Sequence, residues 1–193
     1  MKSFLRALPA ILVLALSTAQ AAVDVAGVRF EERAMLADQE LVMNGAGLRT
    51  RFMFKVYAMA LYLPQAAATP EAVLAASGPR RVRIVTLREL SAEQFVDALV
   101  EGLQNNNPPA TLEALQPSIA AFRAAMLSIG RTPAGTEVLL DWLPGAGTRL
   151  SVAGTQRGND IADAAFYAAL LRVWLGERPV QADLKKRLLG GTE

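Results

Sequence analysis

The chain has 193 residues, 52% of them hydrophobic, with 20 Lys and Arg against 18 Asp and Glu and a formal net charge of +2. It contains no Cys and no His, which excludes disulfides, thiol nucleophiles, histidine proton transfer and ordinary zinc sites. No basic cluster interleaved with aromatics occurs, so nucleic-acid binding is not expected. With no phosphate-binding loop or dinucleotide fingerprint, neither cofactor nor metal is expected.

In chain order, Lys2 and Arg6 precede the apolar run ALPAILVLAL (residues 7–16) and the small-x-small triplet Ala19-Gln20-Ala21. This pattern is a secretory signal peptide, too short to span a bilayer. Cleavage is expected after Ala21, leaving residues 22–193 as one exported domain, periplasmic or secreted, without a stable membrane anchor. Loss of Lys2 and Arg6 cancels the excess positive charge.

Residues 23–30 read as a first strand and 41–45 as a second, closed by the turn dipeptide Asn44-Gly45. A strand-like stretch then runs to Pro64, carrying Arg49, Arg51 and Lys55 with no acid before Glu71. Thr69-Pro70 starts a short helix that stops at Gly78-Pro79. Residues 81–87 alternate as a strand, and Ser91 with Gln94 forms a capping box for a helix bearing Phe95, Ala98, Leu99 and Leu103. Asn105 to Pro109 is expected as a loop. A longer helix over 112–129 contains Pro117, which demands a kink or a restart. Strands at 136–143 and 148–153 flank the turn Pro144-Gly145-Ala146-Gly147. An apolar helix at 161–175, N-capped by Asp160 with Asp163 in its first turn, ends at Gly176. A last helix covers 181–189, with Lys185, Lys186 and Arg187 as an exposed basic tip. Strands early and late with helices between predict an α+β domain with a large, mainly antiparallel sheet.

Three blocks, NGAGLRTRF…KVYAMALYL, TLRELSAEQFVDALVEGL and AALLRVWLGERPVQADLKKRLLG, resemble the chalcone isomerase-like superfamily in content and order. The resemblance implies a large antiparallel sheet with helices on one face and a cleft between them. It also implies two branches: enzymes that close chalcones to flavanones, and non-catalytic members that bind fatty acids or assist other enzymes. Of the polar positions of the catalytic branch, Arg49 matches. The others fall on Tyr57 for a Thr, Phe95 for a Tyr, Gly102 for an Asn, and Val173 for a Thr or Ser. Asn105, one turn beyond Gly102, is the substitute within reach for the missing amide. In the fatty-acid-binding branch the carboxylate is held by Arg and Tyr, as Arg49 and Tyr57 are placed here.

The resemblance therefore points to a small lipophilic anion such as a fatty acid, with Arg49, Tyr57 and Phe95 at the ligand. An intramolecular lyase using Arg49 as electrophile on a chalcone-like enone is the alternative. A protein partner recognised by a fold with an empty cleft is the third reading. Eight residues of straight strand would part Arg49 and Tyr57 by roughly 26 Å. They meet only if the chain reverses within Arg51-Phe52-Met53-Phe54, which lacks every usual turn residue. Phe52 and Phe54 are expected in the core or the cleft wall, and Trp174 in the core.

Overall fold

The computed structural model describes residues 22–191; the proposed signal peptide at 1–21 lies outside them. Seven strands form one antiparallel sheet: β3 (Arg33–Leu36), β4 (Gln39–Arg51), β5 (Phe54–Leu63), β6 (Arg80–Thr86), β9 (Glu137–Leu143), β10 (Gly147–Val152) and β11 (Thr155–Gln156), in the order β11-β10-β9-β6-β5-β4-β3. A separate hairpin, β1 (Ala22–Val25) and β2 (Val28–Glu31), and a small ladder of β7 (Leu90–Ser91) with β8 (Arg131–Thr132) complete the strands. The expected single strand over 23–30 is thus a hairpin. Ala26 and Gly27 both take positive φ, 55° and 86°, as a two-residue hairpin turn does.

The helices are α1 (Pro70–Ala75), α2 (Ala92–Asn106), α3 (Pro109–Ala114), α4 (Gln116–Leu127), α5 (Ala164–Leu175) and α6 (Ala182–Leu188). Thr69 caps α1, and Ser91 with Gln94 closes the capping box of α2, as their side chains predict. Pro117 restarts a helix instead of kinking one, because α3 and α4 are separate. The predicted Asn-Pro loop shrinks to Asn107-Pro108, since α2 runs through Asn106 and Pro109 opens α3. At α5 the cap is Asp163, which accepts from the Ala165 N–H at 2.9 Å. Asp160 instead makes a two-pronged pair with Arg149 at 2.9 and 2.6 Å. That guanidinium holds the Asp160 carboxyl below its ordinary pKa.

The interior strand β5 is buried on both faces from Tyr57 to Leu63. Its odd residues Tyr57, Met59, Leu61 and Leu63 join Val82, Ile84, Leu140 and the buried face of α5 in the main core. Its even residues Ala58, Ala60 and Tyr62 pack with Phe30, Leu36 and Leu41 beneath the β1–β2 hairpin. The hairpin face also carries satisfied cations. Arg81 forks onto Asp141 with two bonds of 2.7 Å, and Arg83 bonds Glu137 at 2.6 Å.

Asn44-Gly45 is not a turn. It lies inside the thirteen-residue β4, where the pairing jumps from Met43↔Tyr62 to Gly45↔Leu61 and leaves Asn44 unpaired as a bulge. Sheet parity makes this decisive, because one inserted residue exchanges the faces of everything beyond it. Met43 faces the hairpin side, whereas Gly45, Gly47 and Arg49 oppose Leu61, Met59 and Tyr57 on the helix side. The buried Asn44 amide clamps the bulge. It donates to Ala67 O at 2.9 Å and Leu188 O at 2.7 Å, and its oxygen accepts from Ala67 N at 2.6 Å.

Gly45 and Gly47 make room for α6. A Cβ on Gly45 would stand 2.0 Å from Arg187 O, and one on Gly47 would stand 2.8 Å from the Leu184 Cδ1. Gly45→Ala is expected to cost at least about 1–3 kcal/mol by forcing α6 off the strand. Asn44→Ala, which strands buried amide and carbonyl groups, is expected to cost about 2–4 kcal/mol. Urea unfolding midpoints of the two variants check both.

Candidate functional site

A cavity of about 540 Å³ opens between the end of the β4–β5 hairpin and helices α2 and α5. Val56, Phe95, Leu99, Val173, Trp174 and Val180 give it an apolar wall, Arg49 and Tyr57 supply polar groups, and Arg51, Arg88, Gln94, Asp97 and Glu101 complete the polar lining. The hairpin solves the separation of those two residues. Arg51 pairs with Phe54 around the two-residue loop Phe52-Met53, and Arg49 pairs directly with Tyr57. Directly opposed residues share a face with their Cβ atoms about 5 Å apart. The reversal therefore occurs where the sequence carries no turn signal.

A second bulge lies beside Arg49. Pairing passes from Arg49↔Tyr57 to Thr50↔Lys55, so Val56 drops out of the β4 ladder. The Val56 carbonyl accepts instead from Leu87 N at 2.9 Å. On β4, the partner at the irregularity is Gln181, just before α6. Its Oε1 accepts from Thr50 N at 2.8 Å, and its Nε2 donates to Leu48 O at 3.2 Å. The same Oε1 accepts from Arg49 Nη1 at 3.3 Å, and Arg49 also donates to Thr50 O.

Arg49 is thus half-buried and held by neutral oxygens only. None of the ion pairs among the described residues involves it. Tyr57 is buried, and its hydroxyl oxygen accepts from Trp174 Nε1 at 2.8 Å. Burial pushes the Tyr57 pKa up, while the Trp174 N–H and the nearby Arg49 charge work against that shift. The phenol therefore stays protonated, and with its oxygen already bonded to Trp174 it retains a proton to donate. The Phe95 ring lies 6.5 Å from that of Tyr57, tilted by 44°, and walls the same space. All three residues singled out from the sequence line one cavity.

Trp174 and Gln181 were not foreseen in the site. Trp174 is core, as expected, yet its indole N–H orients Tyr57. The available signal was chemical: a buried indole needs an acceptor. Gln181 carried no such signal, because its role depends on where α6 lands. Of the two places expected for Phe52 and Phe54, the core is ruled out and the cleft wall holds. They stand exposed at the hairpin tip and border the cavity mouth. Met59, in contrast, is core. Gly102 and Val173 touch each other, for a Cβ on Gly102 would lie 2.6 Å from Val173 Cγ1. Asn105 is exposed and does not line the cavity. Glu89 pairs across to Arg131 at 2.8 Å, and Lys185 donates to Gly176 O at 2.9 Å, so the basic tip is partly engaged. Among the described residues no group of three or more acidic side chains could hold a metal ion.

The fold is similar to the crystal structure of the Arabidopsis thaliana fatty-acid binding protein, with a TM-score of 0.64 and 15% identity over 88% of this chain and 96% of that one. A comparison with curated protein sequences gave no significant match. The sequence pattern of the chalcone isomerase-like proteins matches residues 22–190, almost the whole of the described chain, with the curled antiparallel sheet and helical layer expected of them. This protein belongs to the chalcone isomerase-like family.

Proposed function

We propose that the protein binds a small lipophilic carboxylate, such as a fatty acid, and performs no chemistry on it. The head group meets Arg49 and the Tyr57 hydroxyl, and the tail lies along Phe95, Leu99, Val173 and Val180. The observation that carries this reading is Arg49: a half-buried guanidinium at a cavity, given neutral partners and no carboxylate. A desolvated cation without a counter-ion is costly, and an incoming carboxylate offsets that cost through charge-assisted bonds. The volume lies within the roughly 300–1,000 Å³ of small-molecule sites. The structural neighbour's description as a fatty-acid binding protein supports the ligand class.

The positions that the resemblance equates with catalytic polar groups support the absence of turnover. Phe95 has no hydroxyl, and Gly102 and Val173 are spent on packing α2 against α5. Ring closure needs a substrate held by several polar contacts, because orientation supplies much of the rate. With residues 1–21 read as a signal peptide, the protein works in the periplasm or outside the cell.

Native mass spectrometry of protein purified from its own host tests the reading. A bound fatty acid is expected, and its absence together with no uptake of added palmitate would sink the proposal. Arg49→Ala is expected to weaken palmitate binding at least about tenfold in titration calorimetry, with Arg49→Lys intermediate because it keeps the charge but loses the fork. No Arg49-dependent ring closure of a chalcone is expected; measurable turnover would favour the lyase. Tyr57→Phe is expected to weaken binding by about three- to tenfold. It also leaves the Trp174 N–H unbonded at a cost of about 1–3 kcal/mol, read from denaturant melts.

A further inference from the structure

Of the six exposed large apolar side chains among the described residues, three are consecutive: Phe52, Met53 and Phe54, with 87%, 96% and 63% of their surface exposed. They form the end of the β4–β5 hairpin. Phe52 holds a φ of 54°, a conformation that Gly, Asn or Asp adopts at lower cost. A phenylalanine that is both conformationally disfavoured and almost wholly in water is not there for folding. Cations ring it. Arg51 and Lys55 flank the loop, the Arg51 guanidinium lies 5.8 Å from the Phe52 ring, and that of Arg88 lies 5.3 Å from Phe54. No acid occurs between Glu40 and Glu71. The carboxylates that line the cavity, Asp97 and Glu101, belong to α2 and not to the tip, and Glu89 is paired with Arg131.

We propose that this tip docks on an anionic lipid bilayer. Phe52, Met53 and Phe54 enter the interface while Arg51, Lys55 and Arg88 meet the phosphates. Large apolar side chains collared by cations suit the boundary between acyl chains and head groups, and long basic side chains reach upward from it. Two other occupants fit less well. Three side chains at one loop offer too little area for a stable protein interface, which takes about 800 Å² per partner. A second copy apposed through the same tip would bring like charges together. The docked tip sets the cavity mouth on the membrane, because Arg51, Phe52, Phe54 and Arg88 border that mouth. Docking stands on the tip alone; passage of a lipophilic acid from the bilayer into the cavity rests on the ligand proposed above.

Co-sedimentation with vesicles tests this, using protein processed by its own host. Wild type is expected to bind vesicles of equal parts phosphatidylglycerol and phosphatidylcholine, and to bind pure phosphatidylcholine at least about tenfold more weakly. Met53 does not line the cavity, so Met53→Asp is expected to weaken binding to the anionic vesicles at least about tenfold without moving the thermal midpoint. Lys55→Glu is expected to reduce the preference for anionic lipid. Equal binding by wild type and Met53→Asp would overturn the proposal, as would a concentration-dependent dimer that Met53→Asp abolishes. Palmitate uptake in the absence of vesicles separates the two readings. Uptake without vesicle binding sinks docking alone, and vesicle binding without uptake sinks the ligand alone.

Discussion

The site depends on a bulge. Asn44 inserts one residue into β4 and thereby turns Gly45, Gly47 and Arg49 toward the helices. In an uninterrupted ladder those residues would share the face of Leu41 and Met43, beneath the β1–β2 hairpin, and Arg49 would have no access to the cavity. The insertion is fixed from outside the sheet, by the Asn44 amide bridging Ala67 and Leu188. Since Leu188 ends α6, the same amide anchors the helix whose backbone lies against Gly45. Strand register, helix position and site orientation are thus set together. Gln181, at the other end of α6, then closes the β4 backbone beside Arg49. The run Gly45-Ala46-Gly47-Leu48-Arg49 has a physical reading in these terms: two missing side chains seat the helix, and the arginine follows on the same face.

The treatment of cations differs between the faces of the sheet. Under the hairpin, Arg81 and Arg83 have carboxylates at hydrogen-bond distance. On the helix face, Arg80 is buried without one. It lies over the Tyr167 and Trp142 rings and reaches the Val73 and Leu74 carbonyls at 3.5 and 3.4 Å. Burial pushes its pKa down. Arg80 is sealed among those groups, whereas Arg49 borders empty space. A guanidinium without a carboxylate has a different meaning in each place: packed against rings and carbonyls it is structural, and beside a cavity it is open to the anion proposed for Arg49.

Much of the architecture was legible because it rests on local chemistry. Thr69 and the Ser91–Gln94 pair announce helix starts through side chains that satisfy their own first turn, and these caps form as read. The errors arose where a local signal had a tertiary answer. Asn44-Gly45 resembles a turn, but its amide found partners far along the chain. Asp160 resembles a cap, but Arg149 claimed it, and Asp163 served the helix. The actual reversal at Phe52-Met53 was invisible because it uses a residue that turns usually avoid. Arg49, Tyr57 and Phe95 came from a resemblance, and the cross-strand pairing brings the first two face to face. Trp174 and Gln181 could not be placed from spacing, since their roles exist only after α5 and α6 have docked.

The nine residues from Arg49 to Tyr57 combine two tasks that a straight strand would keep apart. Their ends face inward, where a fixed cation and a neutral phenol converge on enclosed space, and their middle projects three apolar side chains into water. Grip on an anion needs only a rigid pair of donors, which the Gln181 and Trp174 contacts supply. Ring closure would need further polar groups along the cavity, and at Gly102 and Val173 the chain has used that room to bring two helices together. Tight packing there stiffens the wall and leaves Arg49 and Tyr57 as the paired donors at that end of the cavity, while Arg51, Arg88, Asp97 and Glu101 add charge elsewhere in its lining. Donors at Arg49 and Tyr57 beside the apolar side chains of Phe95, Leu99, Val173 and Val180 are what the proposed acid with a greasy tail would require. The cavity's opening lies beside an apolar, cation-ringed loop, so the proposed docking would let such a molecule arrive without crossing water.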